Sequence, residues 1–384
     1  MSSETILVLN CGSSSIKFAL FDALVRPLPR DPLWSGKVEG TGQDALRAVR
    51  ACVEQRTDGR LPAAIAHRVV HGGTRSAPVR IDRNVLADLR SYIPLAPLHQ
   101  PYALQAIEAL LAQAPQVPQI ACFDTAFHRT LPPVEQMFPL PHELWERGVR
   151  RYGFHGLSYE YMAAALPERH GAVAHGRTIV AHLGSGASLC AMHGLRSVAT
   201  TMGFSALDGL MMGTRCGSVD AGVLLHLMEV EKLSLKQLTQ LLYRESGLLG
   251  VSGVSSSPQE LLAVERTNRR AHAALQLYVR RIVREIGSLA AVLGGLDMLV
   301  FTAGVGEHSA PMRERICSAL EWLGIEIDDE ANDVNASSIS TARSRVRVAV
   351  EPTNEEWVAA RHALEVVPNL DSPRSKRSPH VIEA

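Results

Sequence analysis

A short β-rich run at residues 6–9 (ILVL) breaks into the turn-forming set Asn10, Cys11, Gly12, Ser13, Ser14 and Ser15, then resumes with Ile16, Phe18 and Leu20. The pattern is strand, small-residue loop, strand. About half a chain later it recurs. Residues 178–183 (TIVAHL) lead into Gly184, Ser185, Gly186, Ala187 and Ser188, and residues 189–192 continue to a turn at His193 and Gly194, with a further strand-like run from Arg196. One hairpin used twice predicts two structurally similar units, each presenting a small-residue loop to a shared cleft. Two unrelated Gly/Ser turns are the plainer alternative.

Around these hairpins the periodicity predicts helices at 82–92, 103–113, 234–244 and 271–293, with strands at 118–123 and 298–301, the latter running into residues 302–306. The fold class is therefore α/β. A chain of 384 residues exceeds one ordinary domain, so two domains of roughly 100–200 residues each are expected. Residues 369–384 hold Ser-Pro twice and the basic residues Arg374, Lys376 and Arg377, with little to bury, and are expected to form a mobile tail.

Charge narrows the partners. Lys and Arg total 39 against 39 Asp and Glu, so no overall field would hold a nucleic acid or an anionic membrane, and any anion must be bound locally. The six cysteines are scattered, without CxxC or zinc-like spacing, which predicts reduced thiols in the cytoplasm. The N-terminus lacks the basic and long apolar regions of a signal peptide. The most apolar stretch, 289–306, is interrupted by Gly294, Gly295 and Asp297, so no membrane span is expected.

The loops at 12–15 and 184–188 offer backbone N–H groups without bulky side chains, as approach to a phosphate requires. No GxxxxGK[ST] occurs, and no GxGxxG follows a strand, which argues against a dehydrogenase. Five clusters set a cation or carboxylate beside glycine or an aromatic: His67 to Gly73, Leu98 and His99, Phe123 to His128, Tyr152 to Gly156, and Gly213 to Gly217. Arginine forks suit phosphoryl and carboxylate oxygens, so these clusters predict an anion site. Transfer of a phosphoryl group generally needs Mg2+ on one or two oxygen ligands, for which Asp124 and Glu355 are the best candidates. Residues 353–356 (TNEE) read equally well as a helix N-terminus with acids at the favourable end of the dipole.

In order along the chain, the segments NCGSSSIK (10–17), HRVVHGG (67–73), LAPLH (95–99), FDTAFH (123–128), YGFHG (152–156), HLGSG (182–186), MGTRCG (212–217), FTAGVGE (301–307) and TNEE (353–356) resemble the acetate kinase family of acyl-phosphate-forming kinases. The resemblance runs from residue 6 to about 365. It implies two duplicated ribonuclease-H-like domains of the actin, Hsp70 and sugar-kinase group with a cleft between them: 1–147, completed by a C-terminal helix near 356–367, and 148–355, carrying the nucleotide site. The implied reaction is reversible Mg2+-dependent transfer from ATP to acetate, giving ADP and acetyl phosphate, with Mn2+ as a substitute ion and a homodimer as the assembly. By matched position, Asn10 and Glu355 would lie at the metal, and Ser13, Ser15 and Lys17 would approach the phosphates. Arg68 would hold the substrate carboxylate, walled by Val70, Leu98 and Phe154. Asp124, His155 and Arg215 would form the reacting centre. His182, Leu183, Gly184, Ser185 and Gly186, with Gly304, Val305, Gly306, Glu307 and His308, would line the nucleotide site.

Several positions depart from the family's commonest pattern. Ser185 and His308 each replace Asn, Gln100 replaces Asn, and Tyr159 replaces His. Residues 255–259 (SSSPQ) lack the usual Asp-x-Arg pair that contacts adenosine, which predicts altered nucleotide affinity. Ala206 stands where Pro often borders the acyl pocket, so propionate is expected as a substrate beside acetate; a paralogue that binds nucleotide but turns over weakly is the alternative reading.

Overall fold

The computed structural model describes residues 5–12 and 14–367; Ser13 and the expected tail at 369–384 lie outside the described residues. The chain divides into two compact units, residues 5–126 with 354–367, and residues 127–353. The division falls ahead of the position expected at 147, because the segment after Ala126 is anchored in the second unit. There His128 Nδ1 lies 2.8 Å from Ser197 Oγ, and Thr130 Oγ1 donates to the Ser197 carbonyl at 2.7 Å.

The first unit is built on six strands: β1 (Thr5–Cys11), β2 (Ser15–Asp22), β3 (Trp34–Glu39), β4 (Ala64–Val69), β5 (Val79–Arg80) and β6 (Gln119–Phe123), in the order β3-β2-β1-β4-β6-β5. β1 pairs antiparallel with β2 and parallel with β4, and β4 pairs parallel with β6. The second unit holds β7 (Arg177–Leu183), β8 (Ala187–His193), β9 (Arg196–Thr200), β10 (Met298–Thr302) and β11 (Arg347–Val350), in the order β11-β10-β7-β8-β9. β7 is antiparallel to β8 and parallel to β10, and β10 is parallel to β11. Each sheet is thus a three-stranded antiparallel meander extended by two parallel strands, with β5 an extra edge strand in the first. The repeated hairpin read from the sequence is the seed of a repeated sheet. Both hairpins close on small residues: the Gly12 N–H donates to Ser15 O at 2.9 Å, and Gly184 N–H donates to Gly186 O at 3.1 Å.

The strands at the sheet centres are apolar on both faces, as parallel strands covered by helices must be. In the first unit Leu7, Leu9, Ile16, Phe18 and Leu20 face the helices Gly42–Thr57 and Gln100–Gln113. The opposite face receives the helix Glu355–Val366, which packs on β1, β4 and β6 and brings the Ala359 carbonyl to 3.8 Å from Cys122 Sγ. In the second unit the long helix Arg269–Leu293 buries a stripe at Ala271, Ala274, Leu275, Tyr278, Ile282, Ile286 and Leu289 against its sheet. Asn268 caps its start, and Gly294, at φ 69°, ends it in the left-handed region.

Gln100 explains one departure noted in the sequence. Its side chain is fully buried, accepts from the His71 N–H at 3.1 Å and donates to the carbonyls of His71 and Leu89 at 3.0 and 3.2 Å. One amide thereby binds both backbone groups of His71, in the segment that follows Arg68, and the Leu89 carbonyl of the helix Arg83–Ser91. Gln100→Ala removes all three of these buried bonds at once, and is expected to lower stability by about 2–3 kcal/mol, read as a reduced denaturation midpoint with little change in secondary structure by circular dichroism.

Candidate active site

The first unit gathers charge at the ends of its central strands. β4 and β1 are in register at His67 and Leu9, and Asn10 faces Lys17 across the hairpin, so alternation puts Asn10, Lys17 and Arg68 on the face covered by the C-terminal helix. Asp124 follows β6 directly, and Glu355 opens the helix that Asn354 caps through the Trp357 N–H. Arg68 Nε donates to Asp124 Oδ1 and Oδ2 at 3.0 and 3.2 Å, and its Nη2 donates to Oδ2 at 2.7 Å. Its Nη1 lies 3.2 Å from Glu355 Oε2.

Burial alone would lower the Arg68 pKa, but attraction to Asp124 and then Glu355 outweighs it and holds the guanidinium charged. For Glu355 burial dominates in the other direction. Arg68 and Lys17 pull its pKa down, yet burial with repulsion from Asp124 and Glu356 raises it to about 7. Two carboxylates crowded on one arginine form a donor set that a divalent cation fits, because it would relieve the repulsion. Among the described residues no group of three or more His, Cys, Asp or Glu side chains is placed to hold a metal. The cluster offers one or two carboxylates in place of a closed cage, an open set that leaves coordination places for other oxygen ligands.

The second unit builds a different cluster. His155, at φ 59°, precedes the helix Gly156–His170 in a left-handed conformation that costs a residue with a Cβ about 1–2 kcal/mol. Its ring stacks on His182 at a centroid distance of 4.2 Å and an angle of 17°. His155 Nδ1 lies 2.8 Å from Ser188 Oγ, which lies 2.5 Å from the Tyr159 hydroxyl. His182 Nδ1 lies 2.9 Å from Ser158 Oγ, itself 2.8 Å from Thr353 Oγ1. Gly186 makes room beside them: a Cβ there would sit 2.9 Å from Arg215 Nη2 and 3.2 Å from His155 Nε2.

Arg215 is the unusual member. It is buried, its Nη1 donates to the Ala206 carbonyl at 2.6 Å, and among the described residues no carboxylate pairs with it. Burial pushes its pKa down to about 10, partly offset by Tyr243. A buried cation without a counter-charge is costly, and an anionic ligand removes the cost.

The glycine loops are also neighbours. A Cβ on Gly184 would lie 3.6 Å from Ala303 Cβ, so residues 184–186 adjoin the short helix Ala303–His308, which contains Gly304, Val305, Gly306, Glu307 and His308. Glu307 Oε1 accepts from the N–H groups of Ala303 and Thr353 at 2.7 and 3.2 Å. The fully buried Arg313 donates from Nη1 to the carbonyls of Gly306 and Glu307 at 2.9 and 3.0 Å. Ser185 and His308 are exposed at the rim, and Leu183 is buried at the end of β7.

The remaining candidates are spread over both units. Val70 is buried and Leu98 half-buried in the first unit, with Ser15 half-buried and Lys17 exposed on β2. Phe154 is buried in the second unit, its carbonyl 2.9 Å from His128 Nε2. Not every cluster residue faces a ligand. His67, paired with Gln119 at 2.8 Å, and His128 are enclosed, and burial lowers each to about 4. Residues 255–259 act locally: Ser257 caps the helix Pro258–Val264, and Ser255 Oγ donates to Glu260 Oε2 at 2.6 Å. Ser158 is not among the residues the sequence points to, while Ser188 and Thr353 lie in segments that it does, without their partners. The available signal was the β7–β8 register, which sets Ser188 directly opposite His182.

A duplicated α/β fold with carboxylates and a cation in one unit and an uncompensated arginine on glycine loops in the other has the parts of a phosphotransferase. The model of the acetokinase family matches residues 60–361. The chain is 49% identical to an acetate kinase of Rhodopseudomonas palustris, over 94% of its own length and 98% of the relative's, and 46% identical to one from Methylocella silvestris over 96% and 99%. Among solved structures, the acetate kinase of Porphyromonas gingivalis matches at 37% identity with a TM-score of 0.82, covering 95% of this chain and all of that one. A propionate kinase from Francisella tularensis matches at 32% with a TM-score of 0.85 and the same coverage. The chain belongs to the acetokinase family, and its fold is that of the actin, Hsp70 and sugar-kinase group. No described helix is long and apolar enough to cross a membrane.

Glu355 makes the ligand-free protein sensitive to pH. An unfolded glutamate titrates near 4.5 and the folded one near 7, so between these values the native state holds a proton that the unfolded state has lost. Stability from this group is full below about pH 4.5 and is lost as pH rises toward 7, by at most about 3 kcal/mol. Comparing unfolding midpoints at pH 5 and pH 7.5 without ligands, Glu355→Gln is expected to show a smaller fall than the wild type.

Proposed function

We propose that the protein transfers the terminal phosphoryl group of ATP reversibly to a short-chain carboxylate, acetate in the first place, giving ADP and an acyl phosphate. The observation that carries this reading is Arg215, a buried guanidinium that no carboxylate pairs with among the described residues, beside His155 and the Gly186 loop. Phosphoryl transfer to a carboxylate brings two anions together, so catalysis consists mainly of positioning and neutralisation. A carboxylate nucleophile needs no deprotonation at neutral pH. Asp124, occupied on both oxygens by Arg68, is therefore an orienter of that arginine and not an obligatory base.

In this reading Arg68 turns Nη1 toward a carboxylate or acyl-phosphate oxygen, with Val70, Leu98 and Phe154 walling the acyl group. Ser13, Ser15 and Lys17 approach the phosphates. His182 to Gly186 and Gly304 to His308 line the nucleotide, while His155 and Arg215 donate to the phosphoryl oxygens in flight. Mg2+, with Mn2+ as a substitute, would be held by Asn10 and Glu355 and would neutralise charge on the phosphate oxygens.

Two finer statements have their own support. Ala206 leaves the space beside Arg215 lined by a small side chain, which favours acceptance of propionate as well. The helix Ala221–Glu229 is apolar yet buries no residue, and Val219, Val223, Leu225, Met228, Val230 and Leu235 are exposed around it. We assign that surface to a homodimer contact. All six cysteines are free, consistent with the cytoplasm.

A hydroxamate assay with Mg-ATP and acetate, propionate or butyrate tests the activity. Wild type should yield acyl hydroxamate with acetate and propionate. Arg215→Ala should lose about 10²–10³ in kcat with KM values within a few-fold. No product from folded wild-type protein would sink the reading and direct attention to the altered 255–259 segment and a non-catalytic role. Sedimentation should give a dimer that Leu225→Glu dissociates; a wild-type monomer would refute that contact.

A further inference from the structure

The hydroxyls behind His155 have a protonic order that follows from what each atom can do. Ser188 Oγ is fully buried, with one proton and two lone pairs, and among the described residues its side chain has two partners: His155 Nδ1 at 2.8 Å and the Tyr159 hydroxyl at 2.5 Å. Its single proton can serve only one of them. A phenol is the stronger donor; with Tyr159 donating to one lone pair of Ser188, the Ser188 proton is left for His155 Nδ1, the arrangement in which both hydroxyl protons are used. A ring that accepts at Nδ1 carries its proton at Nε2. That nitrogen borders Gly186, where Arg215 Nη2 also points.

We propose that Tyr159, acting through Ser188, is a positioning residue that fixes His155 as the neutral Nε2–H tautomer, so that His155 and Arg215 present hydrogen-bond donors to the same side of the Gly186 loop. The inference rests on the phosphoryl-transfer reading. The fold supplies the parts from two elements. The Tyr159 N–H donates to the His155 carbonyl at 3.1 Å in the first turn of the helix, which sets the two residues on one face, and Ser188 arrives from β8. The Tyr159 ring is fully buried and held edge-on to His128 at 5.5 Å. Phenylalanine would keep that packing and remove only the hydroxyl.

The test is a double-mutant cycle with Tyr159→Phe, Ser188→Ala and the double variant, each first shown to be folded by its unfolding midpoint and assayed by hydroxamate formation. Each single variant should lose roughly 10- to 100-fold in kcat, the size of loss expected when the group that orients a working side chain is removed, with KM for acetate and Mg-ATP changed by less than about twofold. Because the path runs through Ser188, the double variant should be no worse than Ser188→Ala alone. In protein with 15N-labelled histidines, the His155 signal, assigned by its loss in His155→Asn, should show Nε2–H alone in wild type and a tautomer mixture in Tyr159→Phe. Full kcat in either single variant, additive losses, a loss confined to Tyr159→Phe, or an Nδ1–H tautomer in wild type would each overturn the proposal. Absence of acyl phosphate from wild type would sink the enzymatic reading, while the nitrogen spectra would still decide the tautomer.

Discussion

The first unit is organised around one guanidinium. Arg68 receives Asp124 on two of its nitrogens and Glu355 on the third, and these residues come from β4, the end of β6 and a helix that begins more than two hundred residues later. An ion triad this enclosed is not chiefly a source of stability, since desolvation offsets much of its attraction. What it does is fix geometry. The helix Glu355–Val366 covers the sheet face on which Asn10 and Lys17 lie, and the triad sets where that helix begins.

The second unit solves the opposite electrostatic problem. Among the described residues Arg215 has no carboxylate partner, and burial lowers its pKa. One unit holds a carboxylate that wants a cation, and the other holds a cation that wants an anion.

Much of this was legible in the chain, for physical reasons that differ by feature. Strand, small loop, strand is a local pattern, so 5–22 and 177–193 could be read directly, and the sheets repeat as the hairpins do. The helices expected at 234–244 and 271–293 were visible through their periodicity and lie at Leu235–Arg244 and Arg269–Leu293. At residues 353–356 the helix-start reading holds, since Asn354 caps the helix, and Glu355 in its first turn pairs with Arg68. Partners distant in sequence were less accessible. Nothing near Ser188 announces that it will meet both His155 and Tyr159, and nothing near His67 says that Gln119 will enclose it. The unit boundary was also beyond reach, because it is decided by where His128 and Thr130 find Ser197.

The discontinuous first unit has a consequence for biosynthesis. Residues 127–353 form one uninterrupted stretch and leave the ribosome before the helix Glu355–Val366 exists. At about 5–20 residues per second, translating that stretch takes roughly ten to fifty seconds. For that interval the nascent sheet of the first unit exposes the face that the helix will later cover, with Cys122 and Arg68 open to solvent and Arg68 lacking one of its two carboxylates. The last described helix to be translated is thus the one that completes the first unit to be started.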